Sequence, residues 1–150
     1  MENQFVLTID IGTRVIKTHI FTPNGICVQS SAQNWINQNA QGIPLGLEFN
    51  PSYLLGIIQK LVLRTLSSNI SQNSVRAIIC TCQRLGYIFL DRENKAFYGI
   101  PNIDRRAMEE ARLILPSYGE QIYRITGRWP GPSHLLTKIR WFQKNKSLNS

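Results

Sequence analysis

The sequence predicts an α/β domain whose mixed sheet opens with an antiparallel three-strand meander and carries helices packed on it. Three observations predict this. Short apolar runs at 4–11, 15–21 and 26–31 are separated by tight turns. A helical pattern follows Asn50-Pro51. Beyond it, an apolar run at 75–81 can return parallel to the first strand, because a helix is the usual crossover between parallel neighbours. With 150 residues, 43% hydrophobic and 17% charged, the chain has the composition of one globular domain rather than of a disordered segment.

The first strand, Q-F-V-L-T-I-D-I at 4–11, carries a single carboxylate, Asp10, near its C-terminal end. Gly12-Thr13 makes a turn into the second strand, 15–21. Pro23-Asn24-Gly25 is a hairpin signal that returns the chain into the third, 26–31. Residues 34–47, rich in Asn, Gln and Gly, read as an exposed loop. Asn50 then caps a helix with Pro51 at its first position. Leu54, Leu55, Ile58, Leu61, Val62 and Leu66 form its sheet-facing side, and 67–74 closes it. After the central strand at 75–81, the segments 86–90 and 96–98 flank D-R-E-N-K as a hairpin. A charged helix is expected from Asp104 to Leu115, stopping before Pro116, with a short helix at 120–125. Ser133 is expected to cap a last helix with Leu135, Leu136, Ile139 and Phe142 on its apolar side.

Lys and Arg number 17 against 9 Asp and Glu, a net charge of +8. No acidic residue follows Glu120, whereas Arg124, Arg128, Lys138, Arg140, Lys144 and Lys146 do. Such a balance invites a nucleic-acid reading. No basic stretch interleaved with aromatics and no helix-turn-helix signature supports it, so the tail reads as a solvated face or one side of an interface. The three cysteines, Cys27, Cys80 and Cys82, have no partner at metal-ligand spacing, so zinc is not expected. They are read as reduced and mostly buried, with Cys80 and Cys82 on one side of their strand and Thr81 on the other. The apolar runs are too short to span a bilayer, and no secretory signal pattern is present, which predicts a cytoplasmic protein without a membrane partner.

The sharpest local feature is Asp10-Ile11-Gly12-Thr13 at the end of a strand. Glycine permits close backbone approach, and successive N–H groups in a tight turn form a concavity for anions. A carboxylate beside a phosphate cradle suits a Mg²⁺-nucleotide, since the metal bridges phosphate oxygens and takes oxygen ligands. Lys17 adds a cation on the next strand. The bland alternative is an ordinary turn in which Asp10 caps a nearby amide.

In its context, D-I-G-T-x-x-x-K-x-x-x-F-x-x-x-G at 10–25 resembles the first phosphate motif of the actin, sugar kinase and heat-shock ATPase superfamily. Three further stretches resemble the FGGY carbohydrate kinases: I-I-C-T-C-Q-R at 78–84, I-P-N-I-D-R-R-A at 100–107, and I-T-G-R at 125–128 followed by K-I-R-W at 138–141. The resemblance implies an RNase H-like fold, ATP and Mg²⁺ as cofactors, and a sugar or polyol as acceptor. It implies Asp10 at the metal, with Gly12, Thr13 and Lys17 facing the phosphates. Arg14 and Val15 stand where many relatives carry hydroxyls, so Arg14 supplies charge in their place. Gln83, Arg84 and Asp104 fall at the sugar, with a simple helix cap as the alternative for Asp104.

Glycerol kinases carry Glu, Trp and Tyr where this chain has Leu85, Asn102 and Ser133, which argues against glycerol and for a pentose, pentulose or other polyol. The family's catalytic Asp and its second, nucleotide-binding domain lie beyond residue 150, so residues 1–150 are expected to be the first part of domain I and inactive alone. A homodimer is the expectation for the full-length form. A non-catalytic remnant that binds a sugar or a protein is the rival reading, resting on Arg14-Val15.

Overall fold

A computed structural model describes residues 4–66 and 70–145. Strands β1 (Phe5–Ile11), β2 (Val15–Phe21) and β3 (Cys27–Asn34) form the antiparallel meander. Two short strands, β4 (Gln38–Asn39) and β5 (Leu47–Glu48), pair with each other ahead of helix α1 (Pro51–Leu66). A 3₁₀ turn at Gln72–Ser74 leads into β6 (Val75–Cys82), which pairs parallel with β1, so the sheet order is β3-β2-β1-β6. The hairpin β7 (Tyr87–Leu90) and β8 (Ala96–Ile100) and the helices α2 (Met108–Thr126) and α3 (Leu135–Asn145) complete the fold. The helix closure expected at 67–74 lies partly outside the described residues, as does Lys146.

Period-2 alternation sets the main core. Leu7 and Ile9 of β1 and Ile16, Thr18 and Ile20 of β2 point to one face, where α1 lays down Leu54, Ile57, Leu61 and Thr65. Asn50 Oδ1 accepts the Tyr53 N–H at 3.1 Å, the cap expected of it. Leu55, expected on the sheet side, is exposed, because α1 turns Ile57 inward.

Four other expectations are corrected. Residues 34–47 are not simply an exposed loop: Trp35 and Ala40 are buried, and Trp35 meets Phe49 edge-on at 5.2 Å. All three cysteines are exposed. Cys27 lies on edge strand β3; α1 packs over β2 and β3 and leaves β6, with Ile78, Ile79, Cys80 and Cys82, uncovered among the described residues. Helix α2 begins at Met108, not Asp104, and runs through Pro116 into the segment expected as a separate helix. Pro116 sits on the exposed side, so water can serve the carbonyl that its missing N–H leaves unpaired. Helix α3 buries Thr137, Lys138, Trp141 and Phe142 while Leu135, Leu136 and Ile139 stay exposed. Its roll is set by Lys138, which reaches an acidic partner inside the protein.

Candidate functional site

Asp10 lies on the last turn-facing part of β1, with Lys17 of β2 as its cross-strand neighbour on one side and Thr81 of β6 on the other. The following turn is tight. Gly12 N–H donates to the Val15 carbonyl at 3.0 Å, and a Cβ on residue 12 would fall 2.8 Å from that oxygen, so only glycine fits. The turn is held from behind: the Gly12 carbonyl accepts from Trp35 Nε1 at 2.9 Å, the Thr13 carbonyl from Asn37 Nδ2 at 3.1 Å, and the Arg14 carbonyl from the Trp35 N–H at 3.0 Å. These bonds fix the three carbonyls on protein donors, while Arg14 and Lys17 are exposed and positive. Beside the turn lies an open cleft of about 520 Å³ whose walls include Arg14, Trp35, Asn37 and Ile103.

Gln83 follows β6 directly and extends its pairing, donating its N–H to the Ile11 carbonyl at 2.9 Å. Arg84 is exposed. Leu85 then adopts φ 63°, a left-handed conformation uncommon for a bulky residue, which turns the chain sharply after the Gln83-Arg84 pair. Across from them, Asn102 accepts from Thr13 Oγ1 at 3.0 Å through its Oδ1 and donates its N–H to Gln83 Oε1 at 3.1 Å. Ser133, expected to cap α3, donates its hydroxyl to the carbonyls of Asn102 and Asp104 at 2.9 and 3.3 Å. The structure thus joins Thr13 and Gln83 through one residue, Asn102, with Asp10 and Lys17 on the adjoining strands.

Asp104 is placed differently from its sequence reading. It is fully buried and caps no helix. Its Oδ1 accepts from Lys138 Nζ at 2.5 Å, and its Oδ2 accepts from Arg106 Nε at 2.9 Å and the Leu47 N–H at 2.6 Å. Arg106 also donates to the Tyr98 hydroxyl at 2.8 Å and the Leu47 carbonyl at 2.7 Å, and it lies over the Tyr98, Trp141 and Phe142 rings. Arg106 thus forms a buried salt bridge with Asp104, and the Tyr98 hydroxyl, which donates to Glu48 Oε2 at 2.5 Å, completes a cluster that sequence reading did not assemble. The signal was the coincidence of D-x-R with a Lys on an amphipathic helix whose polar side also carries Trp and Phe.

Burial lowers the Lys138 pKa, against the raising effect of Asp104. Burial, together with the bond to Glu48, pushes Tyr98 from an ordinary value of 10.0 up to about 12. Between those two values the folded protein keeps a phenolic proton that the unfolded chain has lost, so this group's stabilisation is complete below pH 10 and disappears as the pH approaches 12. Urea unfolding across this range should show stability falling more steeply for wild type than for Tyr98→Phe. Equal slopes would remove Tyr98 from the account.

Among the described residues no group of three or more His, Cys, Asp or Glu side chains could hold a metal by itself. A lone carboxylate still suits Mg²⁺, which takes one or two protein oxygens and completes its shell with water and phosphate oxygens. Asp10 fits that role.

A glycine turn at the end of β1 and a parallel β6 running on into Gln83-Arg84 fit the sugar-kinase fold of the actin-like ATPase type. Solved structures agree. The chain superposes on gluconate kinase from Lactobacillus acidophilus with a TM-score of 0.87 at 20% identity, covering 97% of this chain and 29% of that one. It superposes on ligand-bound xylulose kinase from the same organism at 0.83 and 21% (95% and 29% covered). For Plasmodium falciparum glycerol kinase with ADP the values are 0.80 and 21% (97% and 29%). The chain belongs to the FGGY family of carbohydrate kinases, whose N-terminal domain it matches over residues 5–149. Among curated relatives, autoinducer-2 kinase of Yersinia enterocolitica is 22% identical over 129 residues, 83% of this chain and 24% of that protein. YoaC of Bacillus subtilis, described as a candidate sugar kinase, is 30% identical over 124 residues, with 83% and 25% covered. The chain therefore spans about a quarter of the length of the curated relatives it matches. No described helix is long and apolar enough to cross a membrane.

Proposed function

We propose that this chain supplies the phosphate-binding turn and part of the acceptor pocket of an ATP-dependent kinase that moves the γ-phosphoryl group of ATP to a sugar or polyol hydroxyl. The observation that carries the reading is the Thr13–Asn102–Gln83 connection, which holds a phosphate-type turn and the end of β6 in one constellation. Asp10 holds Mg²⁺, which neutralises developing charge on the phosphates when bound. Gly12, Thr13, Arg14 and Lys17 orient the phosphate chain, and Gln83 and Arg84 face the acceptor. Asp104, sealed from solvent, supports the 101–104 turn from beneath and does not touch the acceptor. The catalytic base and the adenine site come from sequence outside these residues, so this chain alone transfers no phosphate.

The acceptor is a pentose, pentulose or related polyol rather than glycerol. The Leu85 side chain offers no hydrogen bond, the Asn102 side-chain oxygen is committed to Thr13, and the Ser133 hydroxyl is spent on backbone carbonyls.

The test uses Mg²⁺-tripolyphosphate, a probe with no adenine. Titrated into the ¹⁵N-labelled chain, it should shift the Gly12, Thr13 and Lys17 amides. Asp10→Asn should weaken that binding about tenfold, the loss of one charged contact. No shift in wild type, or equal binding by the variant, overturns the reading.

A further inference from the structure

Three bonds converge on Asn102 from separate parts of the chain: Thr13 Oγ1 reaches its side-chain oxygen, its N–H reaches Gln83 Oε1, and Ser133 Oγ reaches its carbonyl. The residue cannot drift. Asp104 N–H closes the turn onto the Pro101 carbonyl at 3.2 Å, and the Asp104 side chain is locked by Lys138 and Arg106 in a fully buried cluster. A fixed backbone N–H imposes a chemical choice on the carboxamide it meets. An N–H can only donate, so the oxygen of Gln83 must face Asn102 and the NH₂ must face away. Among the described residues no protein group accepts from that Nε2.

We propose that Asn102 is the positioning residue that fixes the Gln83 carboxamide with Nε2 outward, so that Gln83 meets the acceptor sugar as a hydrogen-bond donor. This rests on the reading of Gln83 as an acceptor-site residue and adds the sense of its hydrogen bond. The end of β6 then selects a substrate with a strong oxygen acceptor at that point. A ketose carbonyl satisfies it better than the alcohol of the corresponding polyol, because a carbonyl presents two lone pairs and no competing proton.

Two measurements test this on the purified chain. Through-hydrogen-bond NMR coupling between the Asn102 amide nitrogen and the Gln83 side-chain carbonyl carbon needs no ligand. It should be observed, as for the β1–β6 ladder. Titration with xylulose and with xylitol then probes the donor. Wild type should prefer the ketose. Gln83→Glu keeps an oxygen for Asn102 but has no proton to give, so it should lose about tenfold in xylulose binding while its unfolding midpoint stays near wild type. A missing coupling alongside retained sugar binding overturns the role of Asn102 and leaves the acceptor-site reading standing. A coupling present with no binding of either sugar by wild type overturns the acceptor-site reading, and the donor role with it. Equal xylulose binding by Gln83→Glu overturns the donor assignment alone.

Discussion

Asp104→Ala is expected to cost the fold about 3–5 kcal/mol, the usual penalty for stranding buried charge. The side chain is fully buried and is the counter-charge for two cations that are themselves sealed from water, Lys138 and Arg106. Removing it leaves both cations and the Leu47 N–H without their acceptor. A domain of ordinary size has only about 5–15 kcal/mol in reserve, so the loss takes a large share of it. Lys138→Met should cost less, because Asp104 keeps Arg106 and the Leu47 N–H as donors. Urea unfolding of both variants provides the measurement, and a cost below about 1 kcal/mol for Asp104→Ala would mean that water reaches the cluster. The effect reaches the site as well, since the 101–104 turn carries Asn102 and through it the orientation of Gln83.

Gly99→Ala is the second large effect. Gly99 of β8 exchanges two backbone hydrogen bonds with Phe49, at 3.0 and 3.1 Å, the junction between the β7–β8 hairpin and the segment leading into α1. A methyl group on Gly99 would overlap the Phe49 ring. That ring is buried and is held edge-on by Trp35, whose indole N–H supports the Gly12 carbonyl. The ring belongs to the buried cluster with Ile16, Leu54 and Ile57, so overpacking of about 1–3 kcal/mol is expected. Shifting Trp35 would also loosen the phosphate-type turn. Phe49→Leu placed beside Gly99→Ala should recover part of the midpoint, and a double variant no better than the single would show that the backbone, not the ring, carries the strain.

The central sheet was legible because its signals are local. Pro23-Asn24-Gly25, the alternation in β1 and β2, and Asn50-Pro51 each act within a few residues, and strand order followed from them. The α2 and α3 readings erred where tertiary contacts overrode local rules. Pro116 usually ends a helix, but on a solvated face its missing bond costs little. Lys138 looks like a surface residue until Asp104 is known to face it, and the apolar stripe through Leu135 and Ile139 then turns outward. The cysteines were misjudged because a strand apolar enough to be central gives no sign of which neighbours cover it. Of the site, Asp10 to Lys17 was visible as a motif. Asn102 stood out only as a missing tryptophan; its hydrogen bonds to Thr13 and Gln83 depend on pieces far apart in the chain.

That separation bears on the order in which the protein comes together. The meander closes through turns of a few residues, whereas Thr13 and Asn102 are 89 positions apart, Leu47 and Asp104 are 57, and Asp104 and Lys138 are 34. Long closures lose more chain entropy before any contact rewards them, so the meander and the hairpin can form while the binding end, and the β1–β6 pairing beside it, are still open. The candidate site therefore comes together after the meander rather than with it. Sequence changes scattered across the back half of the chain would be felt at the front turn as altered lifetimes, before the meander itself is disturbed.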